Sequence, residues 1–405
     1  MRALSILLLI ALTLPAKAED PASQGFLYGR VTTDDGQTYE GRLRFGGDEE
    51  AFWSEYFNGR RVANPWREFV SDEAIEERRA LSVFGYELFD WTSEPDLSRP
   101  FMVPFGDIAR IQPSRTQIRV VMKSGSVAVL DRFEADDLAD GVRVWDSKLG
   151  IVDIGEWDIE LIEFLPTPVL ENLPHRMYGV VKADGQTFSG YVQWNREKGV
   201  SDDYLHGISD RGEVSLRFDR IESIARRGDG GVVTTRDGRD LLMTEWREPS
   251  AGKRGIYVND ERFGRVLVSW EALEDVQFSM AGSGPAFHEF AGGHELRGTV
   301  LTAAGNRITG RVVFDMDEAE STATLDAPIG GVDYTVPFSM IASLEVEVAT
   351  VAATLASGEE LRLEREGDLA DYNLGVLVFV DGQVDAEYVP WKEVASLRFE
   401  SGGAH

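Results

Sequence analysis

Three stretches of this chain are copies of one another, which limits it to folds assembled from units of about 115–120 residues. Each copy opens on three glycines, the last two always five apart: Gly29-RVTTDD-Gly36-QTYE-Gly41, Gly179-VVKAD-Gly185-QTFS-Gly190 and Gly298-TVLTAA-Gly305-NRIT-Gly310. The alternation around Val31/Thr33 and Tyr39/Gly41 has the period of two that strands require. Asp-Gly in the first two copies supplies the positive φ of a tight hairpin turn. A glycine inside the second strand marks a sharp bend or the close passage of another backbone.

Two further signatures follow in every copy. The first is Val103-PFGDIAR-Ile111, Leu216-RFDRIES-Ile224 and Val336-PFSMIAS-Leu344, read as strand, one 3₁₀ turn, strand. The second is Trp157-DIELIE-Phe164, Trp270-EALEDVQ-Phe278 and Trp391-KEVASLR-Phe399. Phe105 to Phe164, Phe218 to Phe278 and Phe338 to Phe399 span 59, 60 and 61 positions. Lys123-Ser-Gly125, Arg236-Asp-Gly238 and Ala356-Ser-Gly358 open the second halves as further hairpin turns, so the reading is all-β with six half-units in three repeats. The expected boundaries are a leader over 1–18, then repeats over 19–168, 169–283 and 284–405.

The order of strand, hairpin, bent strand, hairpin, one helical turn and last strand resembles a small SH3-like barrel. The run Val-x-x-x-Asp-Gly-x-x-x-x-Gly, followed by Phe-x-x-Ile-x-x-Ile, resembles the Sm-like branch. That resemblance implies tandem small barrels; a β-propeller with one blade per half-unit is the alternative architecture. Sm-like proteins bind RNA through basic and polar loops, which an acidic chain does not reproduce, so RNA binding is not carried over.

Charge and targeting narrow the function. Met1-Arg2-Ala3, an apolar run over 4–14 and Pro15-Ala16-Lys17-Ala18 have the three parts of a secretory signal peptide, with cleavage after Ala18. The run is too short to span a bilayer. The formal charge is −29, and losing Arg2 and Lys17 with the leader takes the mature chain to −31. Nucleic acid is excluded as a partner on this ground. There is no Cys, hence no disulfide or thiolate chemistry. A periplasmic or extracellular protein of a bacterial envelope is expected.

The first copy carries an insertion over about 48–99. It holds the candidate contact residues Phe52, Trp53, Tyr56, Phe57, Trp66, Tyr86 and Trp91. Phe52/Tyr56 and Trp53/Phe57 have helical i, i+4 spacing, and Ser71-Asp72-Glu73 with Arg78 and Arg79 reads as a short capped helix. Such aromatics anchor a protein partner or stack on sugar rings; their other use is as a lid or a joint between copies.

Motifs for catalysis and cofactors are sparse. His288 and His294 with Glu289 and Glu295 lie in a loose linker, a poor place for zinc ligands; His175 and His294 hold equivalent positions before their copies' first strands. Asp137-Leu-Ala-Asp140 and Asp368-Leu-Ala-Asp371 are candidate ion loops without the further ligands of a calcium site, and an Asp-stabilised loop is the simpler use. No cofactor is expected. The expectation is a non-enzymatic interaction or scaffold protein binding an envelope protein, with glycan binding as the alternative and a carboxylate-dependent hydrolase third.

Overall fold

The computed structural model describes residues 25–46, 49–73, 75–76, 99–170, 173–228, 230–246, 255–280 and 284–400. The leader lies outside them, as do Tyr86, Trp91, Arg78 and Arg79. In the first segment the strands are β1 (Tyr28–Thr33), β2 (Thr38–Phe45), β3 (Tyr56–Arg61), β4 (Arg99–Pro104) and β5 (Ile108–Pro113). They continue as β6 (Gln117–Met122), β7 (Val127–Asp131), β8 (Val142–Asp146), β9 (Gly150–Ile154) and β10 (Ile159–Phe164). The second segment forms β11 (Tyr178–Ala183), β12 (Gln186–Trp194), β13 (Tyr204–Ser209), β14 (Gly212–Arg217) and β15 (Ile221–Arg227). Its remaining strands are β16 (Gly230–Thr235), β17 (Asp240–Trp246), β18 (Ile256–Asp260), β19 (Gly264–Val268) and β20 (Leu273–Ser279). The third forms β21 (Arg297–Thr302), β22 (Arg307–Phe314), β23 (Thr324–Ile329), β24 (Val332–Pro337) and β25 (Ile341–Val346). It ends with β26 (Thr350–Leu355), β27 (Glu360–Glu364), β28 (Val376–Phe379), β29 (Glu387–Val389) and β30 (Val394–Phe399).

These strands form three antiparallel sheets. The first runs β4-β3-β7-β6-β5-β10-β1-β2-β8-β9, and the second repeats that order from β14 to β19 before adding β24 and β23. The third runs β27-β26-β25-β30-β21-β22-β28-β29, because its hairpin β23–β24 has joined the second sheet. No sheet closes into a barrel, and sheets of ten, twelve and eight strands are not propeller blades. The expected six small barrels fail for a definite reason: the last strand of a segment inserts between strands of its first half. β10 bonds to both β1 and β5, so the two halves share one sheet and neither can close on itself.

The opening glycines are cross-strand partners in each segment: Gly29 with Gly41, Gly179 with Gly190, Gly298 with Gly310. A Cβ on Gly41 would lie 2.0 Å from the carbonyl oxygen of Trp145; on Gly190 it would lie 1.9 Å from that of Asn259. The glycine is there because the neighbouring strand passes too close for any side chain. The signature phenylalanines meet edge to face: Phe105 with Phe164 at 5.8 Å, Phe218 with Phe278 at 5.7 Å and Phe338 with Phe399 at 5.4 Å. The predicted single turns are present at Phe105–Asp107, Phe218–Arg220 and Phe338–Met340. One apolar core fills the first sheet, and a second runs unbroken through the other two segments.

Candidate functional site

The insertion does not form the helix expected over Phe52–Phe57. Ser54 sits at φ 84°, the Glu55 carboxylate accepts from the Glu50 and Ala51 amides at 2.6 and 2.8 Å, and Tyr56 begins β3. Pairing with β4 overrides the i, i+4 spacing. Further on, residues 72–73 and 75–76 are helical as expected, with the Ile75 amide bonded to the Ser71 carbonyl.

The five candidate aromatics within the described residues are all buried. Phe52 meets Phe287 and Phe290 of the linker between the second and third segments, at 5.4 and 5.7 Å. Trp53 packs on Tyr191 at 4.3 Å, and the Arg176 guanidinium lies within 5 Å of both rings. Arg265 covers the Tyr56 ring, and Phe57 packs on Phe45 and Phe105 inside the first core. Trp66 lies under Arg99 at 3.8 Å and joins Val313, Met316, Leu374 and Leu377 of the third segment. Phe57 thus belongs to the first segment's own core, while Phe52, Trp53, Tyr56 and Trp66 pack against the other segments.

The carboxylate loops serve the backbone. Asp137 Oδ2 accepts from the Asn58 amide and Asp368 Oδ2 from the Asp326 amide, each at 2.6 Å, so both pin the third residue of a hairpin strand. Asp371 instead pairs with Arg365. Burial pushes the Asp137 carboxyl up to about 7, and raises Asp368, Glu318 and Asp326 as well. Several of these groups border a cavity of about 320 Å³ between the first and third segments. There Arg61 approaches Glu320 at 3.5 Å, and Arg99 donates twice to the Asp317 carbonyl, at 3.1 and 2.8 Å. Burial brings Arg99 down to about 9. Among the described residues no three His, Asp or Glu side chains are grouped to hold a metal. The backbones of His175 and His294 are each held by a serine, Ser201 and Ser321, whose amide donates to the histidine carbonyl and whose Oγ accepts from the histidine amide, the structural role their equivalence suggested.

Exposed large apolar side chains occur in every segment, and the second half of the first carries several of them. Phe133, Leu149, Ile151 and Trp157 are 70, 66, 61 and 56% exposed. Trp157 is not the counterpart of Trp270 and Trp391. Seven positions separate it from Phe164, against eight for Trp270 to Phe278 and Trp391 to Phe399. Ile159 faces Thr33 as Val394 faces Thr302, so Trp157 stands where the third segment has Lys392, and Glu156 where it has the buried Trp391. That one-position shift of the tryptophan, seven rather than eight before the closing phenylalanine, was the signal in the sequence. Trp157 lies over the buried Arg132, whose guanidinium is 3.9 Å from the ring and donates to the Ser114 and Glu156 carbonyls at 2.5 and 2.8 Å. Phe133 stands 6.5 Å away. The platform is therefore held rigid before anything binds. Beside it in sequence, β9 forms the edge of the first sheet. No family model, curated protein or solved structure matches the chain.

Proposed function

We propose that the chain is an exported, non-enzymatic scaffold of the bacterial envelope that binds a protein partner through the outer face of its first segment. The observation that carries this reading is the exposed pair Phe133 and Trp157, 6.5 Å apart on a strongly acidic chain, with Leu149 and Ile151 exposed at the edge strand β9 that precedes Trp157 in sequence. A pre-oriented tryptophan on an arginine is the kind of anchor that dominates protein interfaces. The buried carboxylates are engaged by backbone amides, which favours a binding role over a hydrolase. The leader pattern over 1–18 supports export.

The test is capture from a native envelope extract, with the mature chain as bait beside a Phe133→Ser/Trp157→Ser variant. A partner held by the first bait and lost by the second, with matching circular dichroism, supports the reading. Equal capture by both refutes the assigned face. No protein captured by either, together with a Trp157 fluorescence change on titration with cell-wall sugars, replaces the protein partner by a glycan.

A further inference from the structure

The molecule already contains one interface of the kind its first segment leaves open. β24 of the third segment adds to the edge strand β19 of the second, pairing Arg265 with Thr335, Val266 with Tyr334 and Leu267 with Asp333. Tyr334 is fully buried there, 6.1 Å from both Phe188 and Phe263, and its hydroxyl donates to Gln186 Oε1 at 2.7 Å.

β9 is the counterpart of β19 by position and by hydrogen bonding. Asp146 faces Gly150 as Asp260 faces Gly264, and Val142 faces Ile154 as Ile256 faces Val268. Asp146 Oδ2 accepts from the Glu40 amide as Asp260 Oδ2 accepts from that of Ser189. Ile151, Val152 and Asp153 therefore stand where Arg265, Val266 and Leu267 stand, and Tyr39 and Leu149 take the places of Phe188 and Phe263. Tyr39 and Val152 are half-buried and Leu149 is exposed, a cradle with no ring in it. Among the described residues no strand pairs with the outer side of β9. The third segment's own edge is blunted: β29 has three residues and runs into Pro390.

We propose that β9 accepts an antiparallel strand from a partner protein, with an aromatic side chain facing Val152 and a basic one facing Asp153. This deepens the interaction reading above and rests on it. Continuity with the β19–β24 pairing sets the register, and backbone bonds to the open edge supply affinity. Charge sets the neighbour: Leu267 is replaced by Asp153, whose pair with Arg143 is exposed and exchangeable, on a chain of formal charge −29. A second copy of this chain does not meet the requirement. Phe218 follows β14 as Phe338 follows β24, so the edge β14 would bring Glu213 against Asp153 and the small Val214 into the cradle. By the same register the edge β4 would bring Pro100 against Asp153, and for the cradle Phe101, which is already buried in the first core.

The probe is a fluorescein-labelled peptide of residues 330–338 carrying Asp333→Lys, titrated against the full mature chain by anisotropy. It is expected to bind about tenfold tighter than the same peptide with Asp333, and a Tyr334→Ala peptide to lose binding. Against an Asp153→Lys protein the order of the lysine and aspartate peptides reverses, which locates the peptide on β9. Equal affinity of both peptides for wild type, or no binding at all, overturns the inference. Wild-type self-association in sedimentation, abolished by Ile151→Lys, overturns the choice of occupant. A captured envelope partner that is lost with the Trp157 variant but kept by Asp153→Lys leaves the interaction reading standing and removes strand addition.

Discussion

Two kinds of glycine punctuate this chain, and they respond differently to a methyl group. Gly36 has φ 80° with nothing within 4 Å of a Cβ, so Gly36→Ala is strained only in its backbone and costs about 1 kcal/mol. Gly41 meets the Trp145 carbonyl at 2.0 Å, so Gly41→Ala must push β8 off β2 and costs about 2–4 kcal/mol. Urea denaturation of the two variants gives the comparison, and equal midpoints would refute the close-approach account. Titration is the other residue-scale consequence. Burial holds Asp137 and Glu50 up at about 7, against ordinary values of 3.8 and 4.5. Between pH 4 and 7 the folded chain therefore keeps protons that the unfolded chain has released, and stability falls as pH rises through that window. The slope is at most about 1.4 kcal/mol per pH unit for each group. Asp137→Asn removes one such group, and a shallower decline of the denaturation midpoint from pH 4 to pH 7 is the expected result.

At the scale of elements, what was legible followed the backbone's local needs. Hairpin glycines at 36, 185 and 305 and the single turns after Pro104, Arg217 and Pro337 all lay in the sequence, because each answers to its nearest neighbours. The barrels were misjudged because pairing is non-local. Nothing near Ile159 says that β10 slips between β1 and β5. Aromatic spacing suggested a helix at Phe52–Phe57, yet a strand partner that begins at Arg99 decided the matter. The burial of the candidate aromatics was missed for a related reason. Aromatic density marks a residue's wish for burial as readily as for contact, and Trp66 finds its burial on residues near position 316. Trp157 was visible as a tryptophan, but its exposure hung on a shift of one position relative to Trp270 and Trp391.

For the whole molecule, the lent hairpin is the main tie between the second and third segments. Their apolar core is continuous, and Tyr334 sits inside it while belonging to a strand of the third segment. Tyr334→Ala is therefore expected to lower amide-exchange protection in β19 and β18 of the second segment as well as in β24, with the first sheet's β5 and β6 unchanged. Protection lost in β24 alone would mean that the two segments are stable separately. The first segment is joined differently, by side chains that cross between segments, Trp53 and Trp66 from the first and Arg176 from the second.

That lent hairpin also puts an order on biosynthesis. β19 ends at Val268 and β24 at Pro337, so 69 further residues must leave the ribosome, and cross the membrane if the chain is exported, before the edge is covered. During that interval the second unit carries a bare strand and an unfilled place for Tyr334. A nascent chain in that condition is a substrate for holding chaperones, and a truncation between positions 268 and 337 would prolong that condition indefinitely.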